Sequence, residues 1–235
     1  MSWTVSSDER LAGAPLHVRL HRRARRLRLR IDPRHGGLTL TVPPGVSRRR
    51  AIEWAHSHAA WAREALGRSG ERIALCDGVS FPFRGEPVSI AWQADAPRRV
   101  ALRDGLLTVG GPVETVEARV LRWLRSEALR LLSDDTAHYA ALAGVAVTRI
   151  GVGDPTSHWG SCSSTGAIRF SWRLVMVPDH VRRATAAHEV AHRVHMDHGP
   201  AFHALVAELY GADPAPARAW LRREGAALHR IGSAR

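Results

Sequence analysis

The sequence predicts an α+β fold in which a β-rich amino-terminal region precedes a helical region that contains a small sheet. Three observations support this prediction. Short runs of alternating apolar and polar residues occupy the first part of the chain, the longest helical pattern begins only at 113, and one strong strand pattern, 167–176, lies among the later helices. We therefore expect two regions, 1–110 and 111–235.

The amino-terminal region begins with alternating runs at 16–20, 27–31 and 38–42, which we interpret as antiparallel strands. Turn-forming residues between 32 and 37 separate the last two runs. Pro43, Pro44 and Gly45 then end the sheet, and a helix is predicted over 48–67. Four further β-like runs follow as VSFPF, PVSIAW, RRVALR and LLTVG. The dipeptide Asp104–Gly105 before the last run is typical of a hairpin.

The second region opens with the long helical pattern of 113–143, which ends at Gly144 and could break near Ser133–Asp135. Strands are predicted at 146–151 and 167–176, and the loop between them, with Trp159–Cys162, is expected to form a tight turn around a buried indole. Pro178 and Asp179 begin the next helix. Two more helices are predicted over 201–210 and 214–229.

Composition narrows the classes of protein that fit. The formal charge is +12 and all 34 basic residues are arginine, with no lysine, so compositional bias explains the charge more simply than a nucleic-acid partner does. No run of about 18 apolar residues suggests a membrane span, and the first thirty residues lack the apolar core of a signal peptide. The two cysteines form no disulfide framework. We therefore expect a cytoplasmic protein.

A histidine-rich segment, HEVAHRVHMDH at 188–198, carries the clearest chemical pattern. Residues four apart on a helix are offset by only about 40°, so His188 and His192 project side by side and can bind one metal ion. Glu189 flanks that face, where it can reach a metal-bound water. This H-E-x-x-H spacing is typical of catalytic zinc sites in which the glutamate accepts the proton of the water.

A catalytic zinc needs a third protein ligand, and the spacing leaves several candidates. His198 follows at the point where Gly199–Pro200 ends the helix and lets the chain fold back, so we favour it over His195, which we place on the helix itself. Glu208, in the following helix, is a weaker alternative. In the simplest non-functional interpretation, His188 and His192 are buried, neutral, hydrogen-bonded residues.

The segments SHWGSCSSTGAIRFSWRLVMVP, HEVAHRVHMDHGPAF and WLRREG resemble the YgjP-like metallopeptidase family, whose members are related to the WLM and SprT-type zinc proteases. The early RRARRLRLRID stretch is also similar to that family's amino-terminal region. The resemblance implies a zincin-like metallopeptidase domain over 111–235, one zinc ion held by His188, His192 and His198, and Glu189 as the catalytic acid/base.

The predicted function is therefore zinc-dependent peptide hydrolysis, with the 167–176 strand pairing with an extended substrate and Arg173, His195 or Tyr210 as candidate oxyanion donors. Two alternatives stay open at this stage. One is a protease that acts on nucleic-acid-bound proteins through the arginine-rich surface. The other is a non-enzymatic, zinc-stabilised nucleic-acid-binding protein, which would need a fourth ligand such as His195 or Cys162.

Overall fold

The structure is a computed structural model, and it describes residues 9–32, 37–69 and 72–232. The predicted α+β fold is confirmed, with sheets concentrated in the first part of the chain and helices in the last. Two compact units divide between Ile73 and Ala74. The boundary predicted between residues 110 and 111 lies inside the second unit, and as a boundary between functional domains it stays a prediction.

The first unit contains a four-stranded sheet. Its strands are β1 (Arg10–Leu11), β2 (Ala14–Leu20), β3 (Arg28–Asp32) and β4 (Gly37–Val42). They lie in the order β1-β2-β4-β3, with β3 antiparallel to β4 as predicted and β2 parallel to β4. The prediction of an all-antiparallel sheet is therefore wrong, because alternating apolar residues decide which face is buried and fit either strand direction. The turn predicted between β3 and β4 falls on 33–36, outside the described residues.

The helix predicted over 48–67 is divided into α1 (Arg48–Ser57) and α2 (Ala59–Ser69). Ser47 caps α1 by accepting a hydrogen bond from the Arg50 amide at 3.3 Å. His58 separates the helices: its Nδ1 donates to the Trp54 carbonyl at 2.9 Å. Buried alanines of these helices pack with the leucines and valines on one face of the sheet, so the opposite face is left to polar side chains.

The second unit begins with another four-stranded sheet. Its strands are β5 (Ser80–Phe83), β6 (Glu86–Gln93), β7 (Ala101–Arg103) and β8 (Leu106–Gly110). The four predicted runs are confirmed, and Asp104 and Gly105 adopt the positive φ angles of the predicted hairpin, 48° and 75°. The order β5-β6-β8-β7 and the strand directions are the same as in the first sheet, so the chain repeats a topology without a visible sequence repeat.

The long helix α3 (Val116–Leu142) follows a short 3₁₀ turn and runs without the break considered near Ser133–Asp135. The polar residues there find partners without leaving the helix. Asp135 accepts a hydrogen bond from the Arg182 side chain at 2.7 Å, and Thr136 donates to the Leu132 carbonyl at 2.6 Å. The helix therefore remains continuous up to the turn at Gly144, where φ is 64°.

A three-stranded sheet follows α3. Its strands are β9 (Arg149–Gly153), β10 (Gly160–Cys162) and β11 (Ala167–Ser171), in the order β10-β11-β9. The strand predicted over 167–176 is thus shorter than expected, because residues 172–175 form a buried 3₁₀ turn. The tight turn predicted at Trp159–Cys162 is also wrong, since β10 occupies most of it. Because β11 is the central strand, it has no free edge for the predicted pairing with substrate.

Three helices complete the second unit and confirm the predicted ones. They are α4 (Asp179–Ala191), α5 (Pro200–Tyr210) and α6 (Ala215–Leu228). Helix α4 packs against both α3 and α5, which places its end inside the unit. Within the described residues, no helix combines the length and the apolar character needed to cross a membrane.

Candidate metal centre

Two histidines project together at the end of α4. His188 lies in the last turn of the helix, and His192 is the residue that caps it, with φ −64° and ψ −13° still in the helical range. The i, i+4 geometry expected from the sequence is therefore retained. The two ring centroids lie 5.0 Å apart and the ring planes are nearly perpendicular.

The third histidine returns to this pair from beyond the helix. The chain leaves α4 through a turn, and His198 comes back so that its ring centroid lies 5.2 Å from that of His188 and 4.7 Å from that of His192. One ring nitrogen from each of the three lies within 4.8 Å of the others. The tertiary structure thus brings His188, His192 and His198 together, the three residues selected from the sequence.

The donor set fits a tetrahedral zinc ion. A Zn–N distance of about 2.1 Å places neighbouring nitrogens of a tetrahedron roughly 3.4 Å apart. The Nε2 atoms of His188 and His198 lie 3.3 Å apart. Among the described residues, no fourth histidine, cysteine or carboxylate belongs to this group, so a tetrahedral ion held by the three imidazoles would keep one coordination position for water or substrate.

A buried phenylalanine supports all three imidazoles. Phe202, on the first turns of α5, is fully buried, and its ring centroid lies 4.9, 4.5 and 4.7 Å from those of His188, His192 and His198. The chain reaches it through Gly199 and Pro200, which begin α5. The turn into α5 at Gly199 and Pro200 therefore positions both His198 and the Phe202 ring.

His195 contributes through its backbone. The Nδ1 of His192 donates to the carbonyl oxygen of His195 at 3.0 Å, which leaves Nε2 without a proton and facing the other two rings. The expectation that His195 lies on the helix is wrong, because α4 ends at Ala191. His195 therefore orients the His192 ring through its carbonyl oxygen and is not a member of the three-histidine group.

The surroundings of His188 and His192 favour the neutral imidazole, the form that binds a metal ion. Burial, reinforced by the neighbouring His192, His198 and Arg218, lowers the pKa of His188 to about 4. Burial also lowers the pKa of His192, although the hydrogen bond to the His195 carbonyl acts in the opposite direction. A neutral ring presents a lone pair, so these shifts favour metal binding over protonation.

Glu189 is enclosed beside the histidines. Its side chain is 5% exposed, and burial raises the pKa of its carboxyl group to about 7. Gly160, in β10, faces it so closely that a Cβ atom at that position would lie 2.5 Å from Oε1 of Glu189. The glycine thus leaves the space that the carboxylate occupies. A carboxyl group with a pKa near neutrality can both accept and return a proton.

A cavity of about 240 Å³ opens next to His188 and Glu189. Its walls are mostly apolar and include Val206 and Leu221, while Trp159 and the exposed Arg218 supply an aromatic face and a positive charge. Sequence reasoning missed this wall. The segment that contains Trp159 is predicted from the sequence only as a structural turn. Arg218 belongs to no sequence pattern that links it to the histidines, because only folding brings α6 next to the cavity.

Several candidates from the sequence lie elsewhere. The guanidinium of Arg173 is fully buried and donates to Asp154, so it is not available as an oxyanion donor. Tyr210 and His195 are not among the residues that line the cavity. Cys162 and Glu208 do not belong to the histidine group. None of the three residues proposed from the sequence as oxyanion donors is therefore placed to act as one.

Comparison with known proteins agrees with this geometry. The model of a family described as YgjP-like, metallopeptidase domain, matches residues 25–224, which is most of the chain. The chain belongs to the YgjP-like metallopeptidase family. No curated protein and no solved structure matches it. Membership in the YgjP-like family implies a metal and a protein substrate, and the three-histidine group is compatible with the metal.

Proposed function

We propose that the protein is a zinc-dependent peptidase in which His188, His192 and His198 bind one zinc ion and Glu189 is the general base. The observation that carries this proposal is the combination of three converging imidazoles, no fourth protein ligand among the described residues, and a buried carboxylate beside them. When bound, zinc supplies Lewis acidity that lowers the pKa of water to about 7 and polarises a carbonyl.

Glu189 handles the proton in this proposal. Its carboxylate accepts the proton of the attacking water, and the protonated group returns it to the leaving amine as the peptide bond breaks. Gly160 leaves the space that this side chain occupies, and exclusion of water strengthens its interactions. His192 is held in one orientation and tautomer by the His195 carbonyl, which keeps its donor atom aimed at the same point.

The edge of the sheet that lies nearest to Glu189 is β10, and we propose that an extended substrate pairs with it. Its residues Gly160–Cys162 pair with β11 on one side only, and within the described residues no strand pairs with the other side. Helix α4 packs against β10, and Gly160 of this strand lies against Glu189, so the strand is next to the proposed general base. Main-chain hydrogen bonds would supply affinity with little dependence on side chains.

Two alternative functions need features beyond this chemistry. A purely structural zinc would require a fourth ligand, and neither His195 nor Cys162 supplies one within the three-histidine group. A peptidase that acts on nucleic-acid-bound proteins keeps the same centre. It needs in addition a surface that binds nucleic acid.

The third ligand is tested by comparing His198→Ala with His195→Ala. We expect His198→Ala to weaken zinc binding by more than about 100-fold and to remove peptidase activity. Loss of a residue that only hydrogen-bonds to a metal ligand already lowers metal affinity by about 10- to 100-fold, and loss of a ligand should cost more. His195→Ala retains the carbonyl that orients His192, so its zinc affinity should change by only a few-fold. The zinc affinity of each variant is measured by its zinc content after dialysis and by competition with a chelator. Equal zinc loss in the two variants would contradict the assignment.

The role of Gly160 is tested by Gly160→Ala. The added methyl group would meet Cγ, Cδ and Oε1 of Glu189 at 2.5–2.7 Å, so the carboxylate must move. We expect peptidase activity to fall on the order of 100-fold with zinc content unchanged, since displacement of a catalytic group by about 1 Å has an effect of that size. Gly151→Ala is the matched control, because a Cβ there meets nothing within 4 Å. Full activity in Gly160→Ala would refute the positioning role.

A further inference from the structure

The polar face of the first sheet carries its arginines in two rows. Across β2, β4 and β3, Arg19, Thr41 and Arg28 are direct neighbours, because Arg19 pairs with Thr41 and Thr41 pairs with Arg28. In the next row, Thr39 pairs with both His17 and Arg30. The strand register thus aligns three arginines on one face, and all three are exposed.

The loop after β2 adds more arginines to the same place. It is held by a hydrogen bond from the His21 amide to the Val42 carbonyl at 2.9 Å and by a turn that closes from Ala24 to His21. Sheet and loop together surround a hollow of about 330 Å³. Six arginines line this hollow: Arg19, Arg23, Arg25, Arg26, Arg28 and Arg30.

These cations are not neutralised within the described part of the chain. No carboxylate among residues 9–32, 37–69 and 72–232 forms an ion pair with any of the six, and Asp32, two residues beyond Arg30, has an interaction of its own. Burial together with the neighbouring charges of Arg28 and Arg19 lowers the pKa of Arg30. Compositional bias explains why the protein has many arginines, but not why six line one hollow; a bound anion would relieve their repulsion.

The hollow matches the chemistry of phosphate. Guanidinium groups bind phosphate oxygens with two parallel hydrogen bonds, and the Thr41 hydroxyl adds a small polar group. No tryptophan, tyrosine or phenylalanine lines it, so stacking on bases is not provided for. The exposed large apolar residues of the described chain all lie outside 9–32 and 37–42, which argues against insertion into a membrane.

We propose that the arginine face of the first unit binds the phosphate backbone of a nucleic acid without reading its sequence. This surface lies in a different unit from the metal centre, and the proposal does not depend on peptidase activity. Contacts to the phosphate backbone give an affinity that falls steeply as the salt concentration rises and that is similar for unrelated nucleic-acid sequences.

The experiment compares two triple variants of the full chain. Arg19→Gln/Arg28→Gln/Arg30→Gln removes the aligned arginines of the face. Arg99→Gln/Arg103→Gln/Arg122→Gln removes three exposed arginines of the second unit and makes the same change in net charge. Fluorescence anisotropy with 30-base-pair duplexes of two unrelated sequences is measured between about 50 and 200 mM salt. Thermal unfolding confirms that both variants are folded.

We expect the unaltered chain to bind both duplexes equally, with steep salt dependence. The face variant should lose affinity on the order of 100-fold at 0.1 M salt, with the slope of log K against log salt reduced by about 3, while the control variant retains most affinity. Weak, salt-insensitive binding by the unaltered chain would overturn the proposal. Equal losses in the two variants would also overturn it, as would binding to anionic phospholipid vesicles but not to duplex.

Discussion

Glu189→Gln should remove peptide hydrolysis while the protein keeps its zinc. The amide has nearly the shape of the carboxylate but cannot accept the proton of water or return it to the leaving amine, and general acid–base catalysis contributes about 10²- to 10⁴-fold. Because Glu189 is not one of the three converging histidines, zinc affinity should change little. Hydrolysis of a fluorogenic peptide library and zinc content measure the two quantities separately.

Glu208→Gln is the matched control for that substitution. Glu208 lies on α5, is exposed and stands outside the histidine group, so its loss should leave both activity and zinc content unchanged. If Glu189→Gln hydrolyses peptides at the rate of the unaltered protein, the role of Glu189 as general base is wrong. If it loses zinc together with activity, Glu189 acts as a ligand or a structural residue.

Arg173→Met should lower the free energy of unfolding by about 3–5 kcal/mol, the cost of removing one partner of a buried ion pair. Arg173 is fully buried, with Nε donating to Asp154 at 2.8 Å and Nη1 donating to the Ile231 carbonyl at 2.7 Å. The same group donates to the Leu228 carbonyl at the end of α6. Without it, a nearly buried carboxylate and two carbonyl groups lose their donor.

Urea unfolding followed by tryptophan fluorescence measures this loss. Arg169→Met is the control, since Arg169 lies on β11, four residues before Arg173, but is exposed, and exposed substitutions usually change stability by less than about 0.5 kcal/mol. Arg173→Lys should recover only part of the stability, because an ammonium group cannot reproduce the forked geometry of guanidinium. Equal stability of Arg173→Met and Arg169→Met would contradict this role.

Much of the candidate metal centre could be predicted because its geometry is local. His188 and His192 share a face wherever this segment is helical, and Gly199–Pro200 marks the end at which the chain can turn back. His198 is favoured over His195 from that turn alone, and the family resemblance implies the same residue. Its position next to the other two rings depends on Phe202, whose burial follows from the packing of α5 against α4.

Other features could not be predicted because they join residues far apart in sequence. Alternation over 167–176 would place Arg173 on the polar face of one strand, but the strand ends at Ser171 and the Arg173 side chain turns inward to Asp154. Gly160 gives no sign that it makes room for Glu189. The parallel pairing of β2 with β4 is equally invisible, since apolar periodicity does not specify strand direction.

The sequence by itself determined the α+β class, most helices and strands, and the two imidazoles of one helical turn, because these depend on periodicity and on the fixed rise of the helix. Only the tertiary structure decided that a third ring closes the group, that a glycine of β10 faces the carboxylate, and that six arginines line one hollow. Those contacts depend on side-chain packing and strand register between distant segments, which no local pattern encodes.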